Sequence, residues 1–377
     1  MTVAARGAAG PLADPVYLDH AAASPVRPEV AEAMAEALRT PGNPSSPHAA
    51  GRRARQLLER ARAVIAERLA VAADRVVFTS GGTEANAMAL AGVPGPRLVG
   101  AVEHASIADA APDAARVPVD SQGLIDLDAL AALLARERPG LVSVMLANNE
   151  TGVIQPVAEV ARIAKRAGAL VHCDAVQALG KLPAGPTQLG VDLVSLSAHK
   201  LGGPPGVGAL VLGPGIEPAP LLRGGGQEGR RRAGTQNLPA ISGFAAAAEL
   251  ATDWSALAAQ RDRLERCAQA CRPDLIVAGA TAPRLPNISC LLTPGLAGDL
   301  QMMALDLAGV AVGVGSACSS GRIGPSHVLA AMGYPDALAR SAIRVSLGWS
   351  TMAADIDRFV AAWSALAAPG RGGVNPS

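Results

Sequence analysis

Five short apolar runs, separated by segments of helical pattern, constrain this chain more than any other feature. They cover 75–79, 98–102, 141–146, 170–173 and 191–196. Runs of this length, alternating with helices such as 28–39 and 84–91, predict strands of a mostly parallel sheet covered by helices on both faces. Polar residues follow each run almost at once. Ser80-Gly81-Gly82-Thr83 follows the first, Glu103-His104 the second, and Asn148-Asn149-Glu150 the third. Asp174 and then Gln177 follow the fourth, and Ser197-Ala198-His199-Lys200 the fifth. In an open α/β sheet, ligands bind outside the carboxyl ends of the strands. The pattern therefore predicts one rim lined by Gly82, Thr83, His104, Asn149, Asp174, Gln177, Ser197, His199 and Lys200.

Beyond residue 254 the texture changes. A helix over 255–272 precedes short strand-like runs at 275–277, 287–292 and 343–347, a helix over 299–307, and a last helix with Thr351 as its N-cap. This predicts a large unit over 17–254 and a smaller α+β unit formed by 1–16 and 255–377. The first 13 residues read as a loose arm without a signal-peptide core. The tail from Pro369 reads as disordered.

Composition bounds the function. The chain has 377 residues and a formal net charge of +1, which gives no reason to expect a nucleic-acid or membrane-surface partner. No apolar run reaches the ~18 residues of a membrane span. Five cysteines, an odd number, point to reduced thiols and a cytoplasmic setting. Half the residues are apolar but only 2% aromatic, so Val, Leu and Ala must fill the core.

Lys200 stands out because lysine is scarce. The 33 basic residues include three lysines: Lys165 at a helix end, Lys181 in a turn, and Lys200. Lys200 lies between a buried strand and a turn rich in Gly and Pro. Desolvation there lowers an amine's pKa and makes it nucleophilic; the alternative is a salt-bridged lysine at a strand end. Asp174 at its strand end needs a partner. It could hold a cationic ring nitrogen or cap the helix-like 175–179 segment. The Ser80–Thr83 turn suits a phosphate, although a tight turn also calls for glycine. Gly224-Gly225-Gly226-Gln227-Glu228-Gly229 spells a dinucleotide-binding pattern, but lacks the strand before it and the helix after it that this function requires. Arg344, in an apolar strand, needs an anion: a substrate carboxylate or a structural ion pair. Cys318 sits in a loop of small and polar residues with four glycines near it; such a loop can present a cysteine and move it.

Together these residues resemble the cysteine desulfurases, members of the class V aminotransferase group of fold-type I pyridoxal phosphate (PLP) enzymes. The similarity runs from Tyr17-Leu18-Asp19 to Ile343–Gly348. It rests on Phe78–Glu84, Glu103-His104, Asn148–Gly152, Asp174-Ala175-Val176-Gln177, Ser197-Ala198-His199-Lys200, Arg232-Ala233-Gly234-Thr235 and Gly315–Gly321. The resemblance implies that Lys200 carries PLP as a Schiff base, Asp174 pairs with the pyridine nitrogen, Gln177 bonds the ring oxygen and His104 stacks on the ring. Gly82, Thr83, Ser197 and His199 would hold the phosphate, with Thr235 reaching in from the second subunit of a homodimer. Asn149 and Arg344 would take the carboxylate of L-cysteine. Cys318 would accept the sulfur as a persulfide while alanine leaves. The loop after Cys318 has the longer form of the branch that feeds iron–sulfur assembly, so a scaffold protein is the expected acceptor. Housekeeping members dock that scaffold through a longer C-terminal extension, which leaves the partner open. Other class V enzymes, selenocysteine lyase or an aminotransferase, are the alternative; a non-catalytic sulfur carrier is disfavoured by Lys200, Asp174 and His104 together.

Overall fold

A computed structural model describes residues 15–250, 252–314 and 326–367. Cys318 and its glycine-rich loop, the N-terminal arm and the tail lie outside the described residues.

Seven strands form the main sheet. In spatial order they are Val76–Thr79, Gly208–Leu212, Leu193–Ser197, Leu170–Asp174, Leu141–Ser143, Arg97–Gly100 and Ala115–Val117. Gly208–Leu212 runs antiparallel to both of its neighbours, and the other pairings are parallel. The mostly parallel α/β architecture is therefore the fold. Alternation along each strand explains why both faces are covered. Val76 and Phe78, Val194 and Leu196, and Ala209 and Val211 enter one core. Val77, Leu193, Leu210 and Leu212 enter another. Side chains with a period of two point to opposite faces, and apolar residues at both parities leave neither face to water. Helices Ala49–Arg68, Val157–Arg166 and Leu238–Glu249 cover the first face, and Gly82–Gly92 lies on the second.

A third core, away from the main sheet, gathers Leu257, Leu264, Leu291, Ile343, Val345, Phe359 and Trp363. Its antiparallel sheet has the order Gly313–Val314, Ala342–Ser346, Ile288–Leu292, Ile276–Val277. The chain's first described strand reaches the same core from far away in sequence: Val16–Tyr17 pairs in parallel with Val310–Ala311 as a separate two-stranded sheet, and Leu18 is fully buried in that core. The polypeptide thus leaves this unit at once, builds the large sheet, and returns. Among the described residues no helix is long and apolar enough to cross a membrane.

Two expectations of local structure change, and the sheet has strands beyond the expected five. The 175–179 segment is a run of turns and not a helix. Thr351 does not cap the last helix, which begins at Ala353; its Oγ1 accepts from Gly348 N instead, and Asp355 holds the N–H of Met352. The strand Gly208–Leu212, an apolar run beyond the turn that follows Lys200, lies outside the five expected strands. Its glycine has a steric reason: a Cβ at Gly208 would lie 2.4 Å from Leu196 O and 2.7 Å from the Gly81 carbonyl carbon. Only a bare backbone lets this strand slide beside the Gly81–Thr83 turn.

Candidate active site

The carboxyl ends of the strands meet in a cleft of about 200 Å³. Gly82, Thr83, His104, Asn149, Asp174, Gln177, Ser197, His199 and Lys200 line it, and so do Asn86, Ser106 and Met145. Nine residues expected at one rim therefore share one cavity.

Each wall is set by a local cause. Lys200 leaves the strand Leu193–Ser197 on a single tight turn, and its Nζ donates to Ala21 O and Ala22 O, both at 2.7 Å. Gln177 Nε2 donates to the same Ala21 O at 2.9 Å. Asp174 is 6% exposed; its Oδ1 accepts from Val176 N at 2.9 Å and its Oδ2 from Asn86 Nδ2 at 2.8 Å. Asn86 Nδ2 also donates to Ser106 Oγ at 2.8 Å, and Ser106 Oγ lies 2.8 Å from His104 Nδ1. One chain of hydrogen bonds thus fixes both the carboxylate and the imidazole of the cleft. His199 Nδ1 lies 2.9 Å from Ser197 Oγ. Burial, with Lys200 adding to it, pushes the His199 pKa down to about 4, so its imidazole is neutral at physiological pH.

Asn86 and Ser106 were not anticipated. The available signal is that Asn86 is the one amide side chain of helix Gly82–Gly92, whose sequence is otherwise rich in Ala, Met and Leu. Lys181 also exceeds its reading as a turn residue. Its Nζ donates to Gln177 O at 2.8 Å and lies 5.4 Å from the Trp254 ring centroid. Burial and the Lys200 charge lower its pKa to about 7.

Two expected residues lie elsewhere. Thr235 is exposed and does not line the cleft. Arg344 is 1% exposed on the smaller sheet. Its Nη2 donates to Asp19 Oδ1 at 2.7 Å and its Nη1 to Asn149 O at 3.1 Å. The ion-pair alternative for Arg344 is thus realised in this structure, and its contact with Asn149 places it at the cleft's edge.

Among the described cysteines, Cys173 and Cys290 are buried. Burial raises the Cys173 thiol well above its usual range and pushes Cys290 up to about 12. Neither is a nucleophile at neutral pH.

The fold and the cleft define a class, and comparison with known proteins agrees. The aminotransferase class-V family model matches residues 16–359. The chain belongs to this family and, within it, to the cysteine desulfurases. It is 45% identical over 363 residues to a cysteine desulfurase of Cereibacter sphaeroides, spanning 92% of this chain and 94% of that protein. It is 41% identical over 362 residues to the cysteine desulfurase IscS of Dictyoglomus turgidum, spanning 91% and 92%. A solved NifS-like protein from Rickettsia africae superposes with a TM-score of 0.87 at 34% identity, over 93% of this chain and 99% of that one.

The cofactor of this class is PLP, and the residues present fit it. The Oε1 of Gln177 is buried without a hydrogen-bond partner, leaving an acceptor for a ring hydroxyl. A Cβ at Gly82 would come within 2.7 Å of Val176 Cγ2, so the turn at the head of the helix offers N–H groups at close range.

Proposed function

We propose that this protein converts L-cysteine to L-alanine, with the sulfur passing to Cys318 as a persulfide. The observation that carries the reading is the convergence of Lys200, Asp174, Gln177, His104, Thr83, Ser197 and His199 on one cleft from four strand ends.

The roles follow from the chemistry of each group. PLP, when bound, supplies an aldehyde for amine exchange and an electron sink. Lys200 holds it covalently and afterwards moves a proton at the substrate α-carbon. Asp174, fixed by two hydrogen bonds, keeps the ring nitrogen cationic. His104, locked through Ser106, packs on the ring. Gly82, Thr83, Ser197 and the neutral His199 bind the phosphate with the free N–H groups of the helix end. Asn149 and Arg344 orient the cysteine carboxylate. The Cys318 thiolate takes the sulfur atom: the carbon–sulfur bond breaks, a sulfur–sulfur bond forms, the electron pair of the broken bond stays with the three-carbon fragment, and that carbon takes up a proton, equal to the one the Cys318 thiol gave up, to make alanine.

The protein works as a homodimer, with Thr235 of each protomer completing the phosphate site of the other. The exposure of Thr235 supports this arrangement. The large unit of 17–254 binds the cofactor, and the smaller unit carries the cysteine loop. The acceptor is an iron–sulfur scaffold in the cytoplasm; the loop form supports that assignment. The test is direct. Purified protein incubated with L-cysteine and a thiol should release alanine and sulfide in equal amounts. Cys318→Ala should still bind cysteine and change the cofactor spectrum, yet release no sulfur. Desulfuration by Cys318→Ala at the native rate would sink the nucleophile assignment.

A further inference from the structure

The segment 227–235 is built under constraint. Glu228, Gly229 and Arg230 are consecutive residues in the left-handed region, with φ of 47°, 64° and 69°. Two of the three carry side chains, and such residues persist only where their surroundings hold them. Glu228 supplies the hold. It is 7% exposed, and its carboxylate accepts four hydrogen bonds: Arg62 Nη1 at 2.7 Å, Arg62 Nη2 at 2.9 Å, Phe78 N at 2.9 Å and Gln236 Nε2 at 2.9 Å. Arg62 in turn donates to Val76 O at 2.6 Å. Glu228 therefore grips the strand Val76–Thr79, which leads directly into the Ser80–Thr83 turn.

Four residues further on, Arg232 grips the other side of that turn. Its Nε and Nη2 donate to Glu84 at 2.8 and 3.2 Å. Glu84, in the first turn of helix Gly82–Gly92, also accepts from Ser80 N at 2.7 Å. One strap thus clamps the strand before the turn and the helix after it.

We infer that Glu228 and Arg232 are positioning residues for the cofactor phosphate, bracing the Ser80–Thr83 turn in the shape that receives it. The inference rests on the phosphate reading of that turn given above. Because the same strap ends at Thr235, the element that stiffens one protomer's turn also presents the threonine proposed to enter the other's site.

The test compares PLP with pyridoxal, which has the same ring and aldehyde but no phosphate. Apoprotein is titrated with each, following tryptophan fluorescence. Native protein should favour PLP strongly. In Glu228→Gln and in Arg232→Met the PLP affinity should fall roughly tenfold, as for loss of one charge-assisted contact, while pyridoxal affinity moves less than about twofold. Arg232→Lys, which keeps one ion pair, should recover most of the preference. Arg232 is the more exposed of the two, so its variant decides the matter where Glu228→Gln fails to fold. An unchanged PLP-to-pyridoxal ratio in a folded variant, or an equal loss for both ligands, overturns the bracing role alone. Native protein that does not distinguish the two ligands overturns the phosphate reading and the bracing role with it.

Discussion

The two halves of the site are held differently. The cofactor half of the proposed site is one sheet edge: two neighbouring strands deliver Asp174 and Lys200, and short hydrogen bonds lock Asp174, Asn86, Ser106 and His104 together. The substrate half is assembled across units. Arg344 comes from the smaller sheet, and its present counter-ion, Asp19, lies 325 positions away in sequence. The cofactor half is cross-linked by its own hydrogen bonds, whereas the substrate half keeps its cation paired with a carboxylate of the protein itself. A permanent cofactor suits the first design. A substrate that enters and leaves at each turnover suits the second, because its carboxylate then exchanges for a resident one.

The largest effect expected is on the cofactor side. Lys200→Ala removes the amine that its strand-end turn places in the cleft. It should abolish the cofactor's Schiff-base absorption and lower turnover by several orders of magnitude. Lys181, with its pKa near 7, is the one nearby amine that could break this expectation; a retained band in Lys200→Ala that disappears in the Lys181→Met double variant would identify it as a substitute.

Arg344→Ala tests the other half. Removing a charge-assisted partner of a carboxylate costs about 1.5–3 kcal/mol, a rise in KM of roughly tenfold to more than a hundredfold. PLP affinity should hardly move, because the cofactor half does not depend on Arg344. A large fall in PLP affinity would mean that the two halves are one structure and erase the contrast.

This contrast also explains what could be read from sequence. A parallel sheet places its ligands at strand ends, so the positions of Thr83, His104, Asp174 and Lys200 follow from one-dimensional pattern. Asn86 does not, because it acts sideways from a helix onto the carboxylate at the end of a strand distant in sequence and in the sheet. Nor does the Asp19–Arg344 pair, since nothing in a strand pattern says that residues 19 and 344 meet. Gly208–Leu212 is an apolar run of the same kind as the others, but its antiparallel place between Val76–Thr79 and Leu193–Ser197 does not follow from a strand pattern. The loop of Cys318 was readable only through its motif.

A smaller effect concerns acid stability of the cofactor half. His172 is fully buried between Ser143 Oγ and Ser195 Oγ, each 2.8 Å from a ring nitrogen. Burial lowers its pKa from 6.5 to about 3. The unfolded chain therefore binds a proton below pH 6.5 that the folded one refuses until about pH 3. Stability is unaffected by this group above that window and falls with pH inside it, by at most about 1.4 kcal/mol per pH unit. Burial lowers His20 and His199 to about 4, with Lys181 adding to the first and Lys200 to the second, and they act in the same direction. His172→Gln should make the acid-side slope of the unfolding free energy shallower by about one proton. An unchanged slope would place the acid sensitivity elsewhere.

The smallest effect, and the one that bears most directly on the exchange of counter-ions, is that of Asp19. Its Oδ1 holds Arg344 Nη2 at 2.7 Å, and a Cβ at Gly313 would lie 2.8 Å from each of these two atoms, so the pair is packed tightly by backbone. In Asp19→Asn the geometry survives while the competing charge is lost. The buried guanidinium then lacks its nearest carboxylate, which strengthens its attraction for the incoming one. KM for L-cysteine should fall about two- to fivefold, well under the cost of losing Arg344 itself, with kcat little changed. The melting temperature should drop, since the unliganded protein loses the charge of one buried ion pair. The opposite result, a raised KM with an unchanged melting temperature, would mean that Asp19 orients Arg344 toward substrate, and the resident-carboxylate view of the substrate half would give way to a rigid one like the cofactor half.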